Sequence, residues 1–245
     1  MSLFLRLNDT LDRHVRHAML TQPAALAFAL SSYADAESAG ESQVFERCLA
    51  RASDPRVRAM IRRHQEDEIR HAALLDARRV ALELPRYHIP AHLKVVDLLS
   101  AAAGGVLELP MDEDRHVALA YHLLYVVEAR AVDEFDRATA AFEATGDRET
   151  AALFASIRAD ETRHLRYCDA IARKFSTDAA EFDRDRARMV DIERRVYGAQ
   201  TRAFTLHMLR EGIFVLPEPW DSLLGVLLFT TNLARLPAPP ALVVA

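Results

Sequence analysis

The chain has 245 residues, 51% of them apolar, with 31 basic and 36 acidic side chains and a net charge of -5. That is ample for a packed core, and charges of both signs spread along the whole length leave no basic stripe to neutralise a nucleic acid. Only 7 glycines beside abundant Ala, Leu, Arg and Glu exclude a sheet-rich fold and point to an all-α one.

The opening stretch, MSLFLRLNDTLDRH, acquires acids and a histidine too early for a signal peptide, and residues 1–21 read as an N-terminal extension. Thr21 and Pro23 open a first helix that is expected to run to about Ala50. Asp54 and Pro55 cap a second, expected to reach about Leu84. Between it and the third helix lies a long segment, ELPRYHIPAHLKVVDLLSAAAGGVLELP, against the short turns RASDP and ATGD elsewhere. Two tight hairpins joined by one long crossover is the expected plan.

Asp112 opens the third helix after Pro110, Gly146 closes it, and the fourth runs from about Asp147 to Lys174. Residues 22–176 thus form one four-helix unit, and 177–245 a helical extension packed on it. After Phe175 a fifth helix begins with an Arg- and Asp-rich half, expected to be a solvated face. A short sixth helix follows PEPW. The apolar run Leu223 to Leu233 falls far short of the roughly 20 residues that span a bilayer, so no membrane span is expected. Cys48 and Cys168 stand apart, which rules out a CxxC knuckle and suits a reducing cytoplasm.

The core-facing stripes carry the chemistry. In the second helix the stripe is Val57, Ile61, His64, Glu68, His71, Leu75, and in the fourth it is Phe154, Ile157, Glu161, His164, Cys168, Ile171. The first and third helices place Glu37 and Glu128 on theirs, followed three positions later by the small residues Gly40 and Ala131. Polar groups therefore sit where an apolar residue belongs. Two near-identical pentapeptides, DEIRH at 67–71 and DETRH at 160–164, supply the Glu-x-x-His pairs.

Height along the bundle agrees. The midpoint between Glu37 and Glu68 falls in RASDP, and that between Glu128 and Glu161 falls at ATGD. Each pair then meets at one level, about 24 Å from its turn at 1.5 Å per residue. A quartet of buried, unpaired carboxylates is strongly destabilising, and two divalent ions would cancel it. Glu-x-x-His sets an oxygen and a nitrogen ligand on neighbouring turns of one helix face.

On these residues the chain resembles the ferritin-like superfamily of diiron carboxylate proteins, which includes rubrerythrins, bacterioferritins and O2-activating oxygenases, over about residues 22–175. The resemblance implies a ferritin-like four-helix bundle with two metal ions, most simply iron, with manganese or a mixed Mn/Fe pair also admitted by oxygen and nitrogen ligands. It implies metal ligands Glu37, Glu68, His71, Glu128, Glu161 and His164, with Glu68 and Glu161 tending to bridge. Asp67 and Asp160 stand where relatives place an acceptor for a ligand histidine of the other hairpin, or are rim acids. Arg70 and Arg163 either pair with those acids or are exposed. His64, one turn before Glu68, is a buried histidine bonded to a neighbouring helix, a seventh ligand or a substrate contact. Glu41 ranks behind Glu37 on turn geometry, and Tyr33, Tyr121 and Tyr125 beside the layer are read as packing.

The function implied is an oxidoreductase that activates O2 or peroxide to oxidise or oxygenate a small organic substrate, with electrons from an external donor and a homodimer as one working form. Catalysis rests on no residues beyond the metal ligands. The absence of a rubredoxin-like CxxC module departs from rubrerythrins. Iron handling or peroxide scavenging, and a metal-stapled scaffold without catalysis, share every ligand.

Overall fold

The computed structural model describes residues 19–38 and 41–215, and every regular element among them is a helix. These are α1 (Pro23–Ser38), α2 (Glu41–Arg51), α3 (Pro55–Ala81), α4 (Val95–Ala102), α5 (Asp114–Thr145), α6 (Arg148–Phe175) and α7 (Ala179–Arg210), with 3-10 turns at Ala91–Leu93 and Val106–Glu108. The expected first helix is therefore described as two, α1 and α2, either side of positions 39 and 40. Gly40, the small side chain of Ser42, the side chain of Glu41 and everything from 216 onward, including the expected sixth helix, lie outside the described residues. Among the described residues no helix is long and apolar enough to cross a membrane.

Local chemistry fixes the helix ends. The Asp54 carboxylate accepts from the Arg56 amide at 2.8 Å, with Pro55 in the first turn where its missing N–H costs nothing. Asp147 accepts from the Thr150 amide at 3.0 Å and Asp178 from the Glu181 amide at 2.8 Å. Gly146 ends α5 with φ 84°, a left-handed conformation suited to glycine, and the Asp147 amide reaches back to the Phe142 carbonyl at 3.0 Å. The chain thus reverses within two residues.

α1 and α2 lie along α3, α5 lies along α6, and α3 meets α6 across the middle. The two hairpins turn at opposite ends. One apolar cluster gathers Leu30, Ala34, Leu75, Phe135, Phe142, Phe154 and Ile157 near the α5–α6 turn. The other gathers Val44, Phe45, Cys48, Val57, Ile61, Val117, Tyr121, Cys168 and Ile171 near the α2–α3 turn. The stripe acids and histidines fall between the two clusters in every helix.

The crossover, residues 82–113, carries α4 against α7. Ser100, fully buried, accepts from the Leu107 amide at 3.0 Å and donates to Glu108 at 2.5 Å, which ties its return into a fixed loop.

The charged first half of α7 is not a solvated face throughout. Asp185 and Glu193 are buried, Asp185 gripped by both terminal nitrogens of Arg115 and Glu193 by Arg130 at 2.5 Å. Arg186 lies 3.4 Å from the centroid of the Tyr125 ring and donates to His122 Nδ1 at 3.1 Å. The partners of these charges sit on α5, more than sixty positions away, so the helix's own pattern does not reveal them. Asp185→Ala removes the two-pronged partner of Arg115 and leaves it Glu181 at 2.8 Å, and is expected to cost about 1 kcal/mol of stability, read by denaturant melts; a change within experimental scatter would make the α5–α7 pairs ornamental.

Candidate metal centre

The Glu and His side chains of the repeated motifs, with Glu37 and Glu128, meet in one buried layer. Glu68, Glu128 and Glu161 are 5%, 2% and 1% exposed, His64, His71 and His164 are fully buried, and Glu37 is 9% exposed at the rim. Leu75, Phe154 and Ile157 seal the layer on one side and Ile61, Tyr121 and Cys168 on the other. Water is excluded by apolar surface on both sides.

Within the layer the ligand-type atoms form two groups, each with its atoms within 4.8 Å of one another: His64, Glu68, Glu128 and His164, and Glu37, Glu68, His71 and Glu161. Glu68 belongs to both. Glu161 spans them too, with Oε1 3.0 Å from His71 Nδ1 and Oε2 2.9 Å from His164 Nδ1. His71 Nδ1 lies 3.3 Å from Glu37 Oε2, and His164 Nδ1 lies 3.0 Å from Glu68 Oε1. His64 lies among these groups, not behind them: its Nε2 is 3.0 Å from Glu128 Oε1 and 3.3 Å from Glu68 Oε1.

The outer nitrogens of two histidines are held by acids of the opposite hairpin. His71 Nε2 donates to Asp160 at 3.2 Å and His164 Nε2 to Asp67 at 3.3 Å. An ionised carboxylate only accepts, so each Nε2 carries its proton and each Nδ1 is turned toward the carboxylates. Arg70 and Arg163 each bridge both aspartates: Arg70 reaches Asp67 at 2.7 Å and Asp160 at 2.5 Å, Arg163 reaches them at 2.6 Å and 2.5 Å. One DExRH copy therefore orients the histidine of the other. Burial opposes ionisation of both aspartates, but the guanidinium and imidazole hydrogen bonds win, holding Asp67 well below the usual carboxylate range and Asp160 at about 2.

The layer contains its own positive charge when only protons fill it. Burial disfavours the imidazolium form, yet hydrogen bonds donated to Glu161 and Glu37 push His71 up to about 10, and those donated to Glu128 and Glu161 push His164 up to about 11. Burial and the charge of Glu128 raise Glu161 to about 8, while Glu128, despite its own burial, is held well below the usual range by Glu161, His64 and His164. Burial lowers His64. Protonated imidazoles thus balance the acids, and dications bound there must displace those protons. Titration of two ions near pH 7 is expected to release about two to three protons, measured by calorimetry in buffers of different protonation enthalpy; equal heats in all buffers would sink this.

The sign for stability follows from the same shifts. His71 and His164 are raised above 6.5, so their stabilisation of the metal-free chain is complete below pH 6.5 and is lost as the pH rises through about 10 and 11. Melting temperature of metal-free protein is expected to fall over that window. A flat profile would contradict the assignment.

Other sequence candidates fall elsewhere. Tyr33 packs between Phe135 and Phe154, at 5.6 Å from each ring, and Tyr121 is buried in the core. His207 rests on Phe28, 5.5 Å away, far along α7 from the layer. Cys48 is buried, and burial pushes its thiol up to about 12, which leaves it inert. A cleft between α1 and the crossover, lined by Ser32, Asp35, Ile89 and Lys94, contains none of the layer's ligands. No protein-family model, curated protein or solved structure matches this chain.

Proposed function

We propose that this chain is a ferritin-like dimetal carboxylate protein that uses a pair of divalent ions, iron in the first instance, to activate O2 or peroxide for oxidation or oxygenation of a small organic substrate. The observation that supports this reading above all is the pair of buried donor groups that share Glu68. Their donor chemistry, carboxylate oxygen and imidazole nitrogen without thiolate, suits iron and manganese. Glu37, Glu68, His71, Glu128, Glu161 and His164 would hold the ions.

Bound there, a pair of redox-active ions would supply the electrons that O2 or peroxide accepts, and a separate donor would replace them. The chain's residues do the rest. Asp67 and Asp160 hold the two histidines in the tautomer that aims Nδ1 inward, and Arg70 and Arg163 keep both aspartates ionised. The apolar clusters on either side keep bulk water from the layer, so charge interactions within it are strong.

The test is to load metal-free protein anaerobically with ferrous ion, count the ions bound, then admit O2. Two ions per chain and an oxygen-dependent rise in near-ultraviolet absorption are expected. Two ions with no optical response would overturn the redox part and leave a structural metal pair; fewer than two would overturn the site. Accumulation of ferric mineral in large assemblies would replace substrate oxidation by iron storage.

A further inference from the structure

The two donor groups are unequal. Glu68 is common to both and the Glu161 carboxylate reaches a histidine of each; beyond these the first has His64, His164 and Glu128, and the second has His71 and Glu37. A single difference between the repeats creates this imbalance. Four positions before the motif glutamate α3 carries His64, and α6 carries Ile157.

His64 is placed differently from the other two histidines. It is fully buried beneath Phe45, 4.8 Å between ring centroids, and stacked on His164 at 4.0 Å with 28° between planes. Its Nε2 points at Glu128 and Glu68, while its Nδ1 is buried without a hydrogen-bond partner among the described residues. A buried histidine kept for structure ordinarily has both nitrogens satisfied. Here no acid stands behind the ring. Packing from behind and the contact of Nε2 with Glu128 fix it facing the carboxylates.

We infer that His64 is a direct ligand of the first position and that it makes the protein discriminate between its two ions. The position with two imidazoles takes the dication with the greater preference for nitrogen, such as Co2+ or Fe2+, and the position richer in carboxylate accepts Mn2+. The physical ground is that the affinity gap between Mn2+ and the later divalent ions widens as imidazole replaces carboxylate, which prefers the harder ion. This rests on the reading that the layer binds two ions.

The experiment uses the full-length, metal-free chain titrated with Co2+, with Mn2+, and with one equivalent of each, followed by calorimetry, Co2+ visible absorption and Mn2+ paramagnetic resonance. Co2+ is expected to bind in two resolved steps, and the mixed titration to yield one Co2+ and one Mn2+ per chain. His64→Ala and the size-preserving His64→Gln should weaken the first Co2+ step by about 10-fold or more and merge the two steps. Glu37→Gln should weaken the second step and spare the first. Equal steps in the unsubstituted protein overturn the inference even if neither His64 variant folds. So does a His64 variant that leaves both steps unchanged, which would make the residue a buried structural histidine. If the unsubstituted chain binds neither ion, the dimetal reading itself fails, an outcome distinct from equal binding of two.

Discussion

Glu68→Ala is expected to abolish binding of both ions, because its carboxylate belongs to both donor sets. Each tenfold loss of affinity is about 1.4 kcal/mol, and removing a ligand shared by two dications should raise both dissociation constants by more than about 100-fold. The ion-dependent rise in melting temperature should vanish with it, a stabilisation of about 4 kcal/mol when free metal exceeds its dissociation constant a thousandfold. His164→Ala should lose the first position chiefly, whereas Glu41→Ala should bind as the unsubstituted chain does. Elemental analysis after gel filtration, with melting curves in the presence and absence of metal, separates these cases. Equal loss in all three variants would refute the ligand assignment.

Asp67→Ala is expected to weaken the metal-free fold through several partners at once. The side chain is 1% exposed and accepts from Arg70, Arg163 and His164, with the Arg63 guanidinium 3.2 Å away. Its removal leaves the buried His164 Nε2 without its acceptor and takes from the partly exposed Arg70 and Arg163 one of their two carboxylates, a loss that costs about 1–3 kcal/mol. Asp67→Asn keeps the size but loses the charge, and should still lower stability and weaken metal by about 10- to 100-fold through a misheld His164. A chemical-denaturation series compares the two. If both melt like the unsubstituted protein, the Asp–Arg bridge between the hairpins contributes nothing and the pairing is a surface ion pair of little worth.

Much of this arrangement was legible in the spacing of residues. Helical periodicity sends Glu37, Glu68, Glu128 and Glu161 inward, and the turn positions RASDP and ATGD set them at one height. The cap residues Asp54, Asp147 and Gly146 were readable because capping is a local interaction. What pairs across the bundle was not. The Asp67–Arg163 contact joins residues 96 positions apart, and the choice between pairing and exposure for these arginines depends on α3 meeting α6. The direction of the His64 ring turns on Phe45 above it and His164 beside it, which no single-helix pattern encodes. The buried acids of α7 escaped for the same reason, since Arg115 and Arg130 lie on another helix.

Ligand-type acids and histidines gathered at one level, with hydrocarbon packing above and below, separate two tasks that many small metal-binding domains combine. Cohesion of the four helices resides in the flanking hydrocarbon, so ion uptake need not drive chain collapse. Were ions taken up at that level, the scaffold could be complete before they arrive, and occupancy would be a matter of supply and exchange.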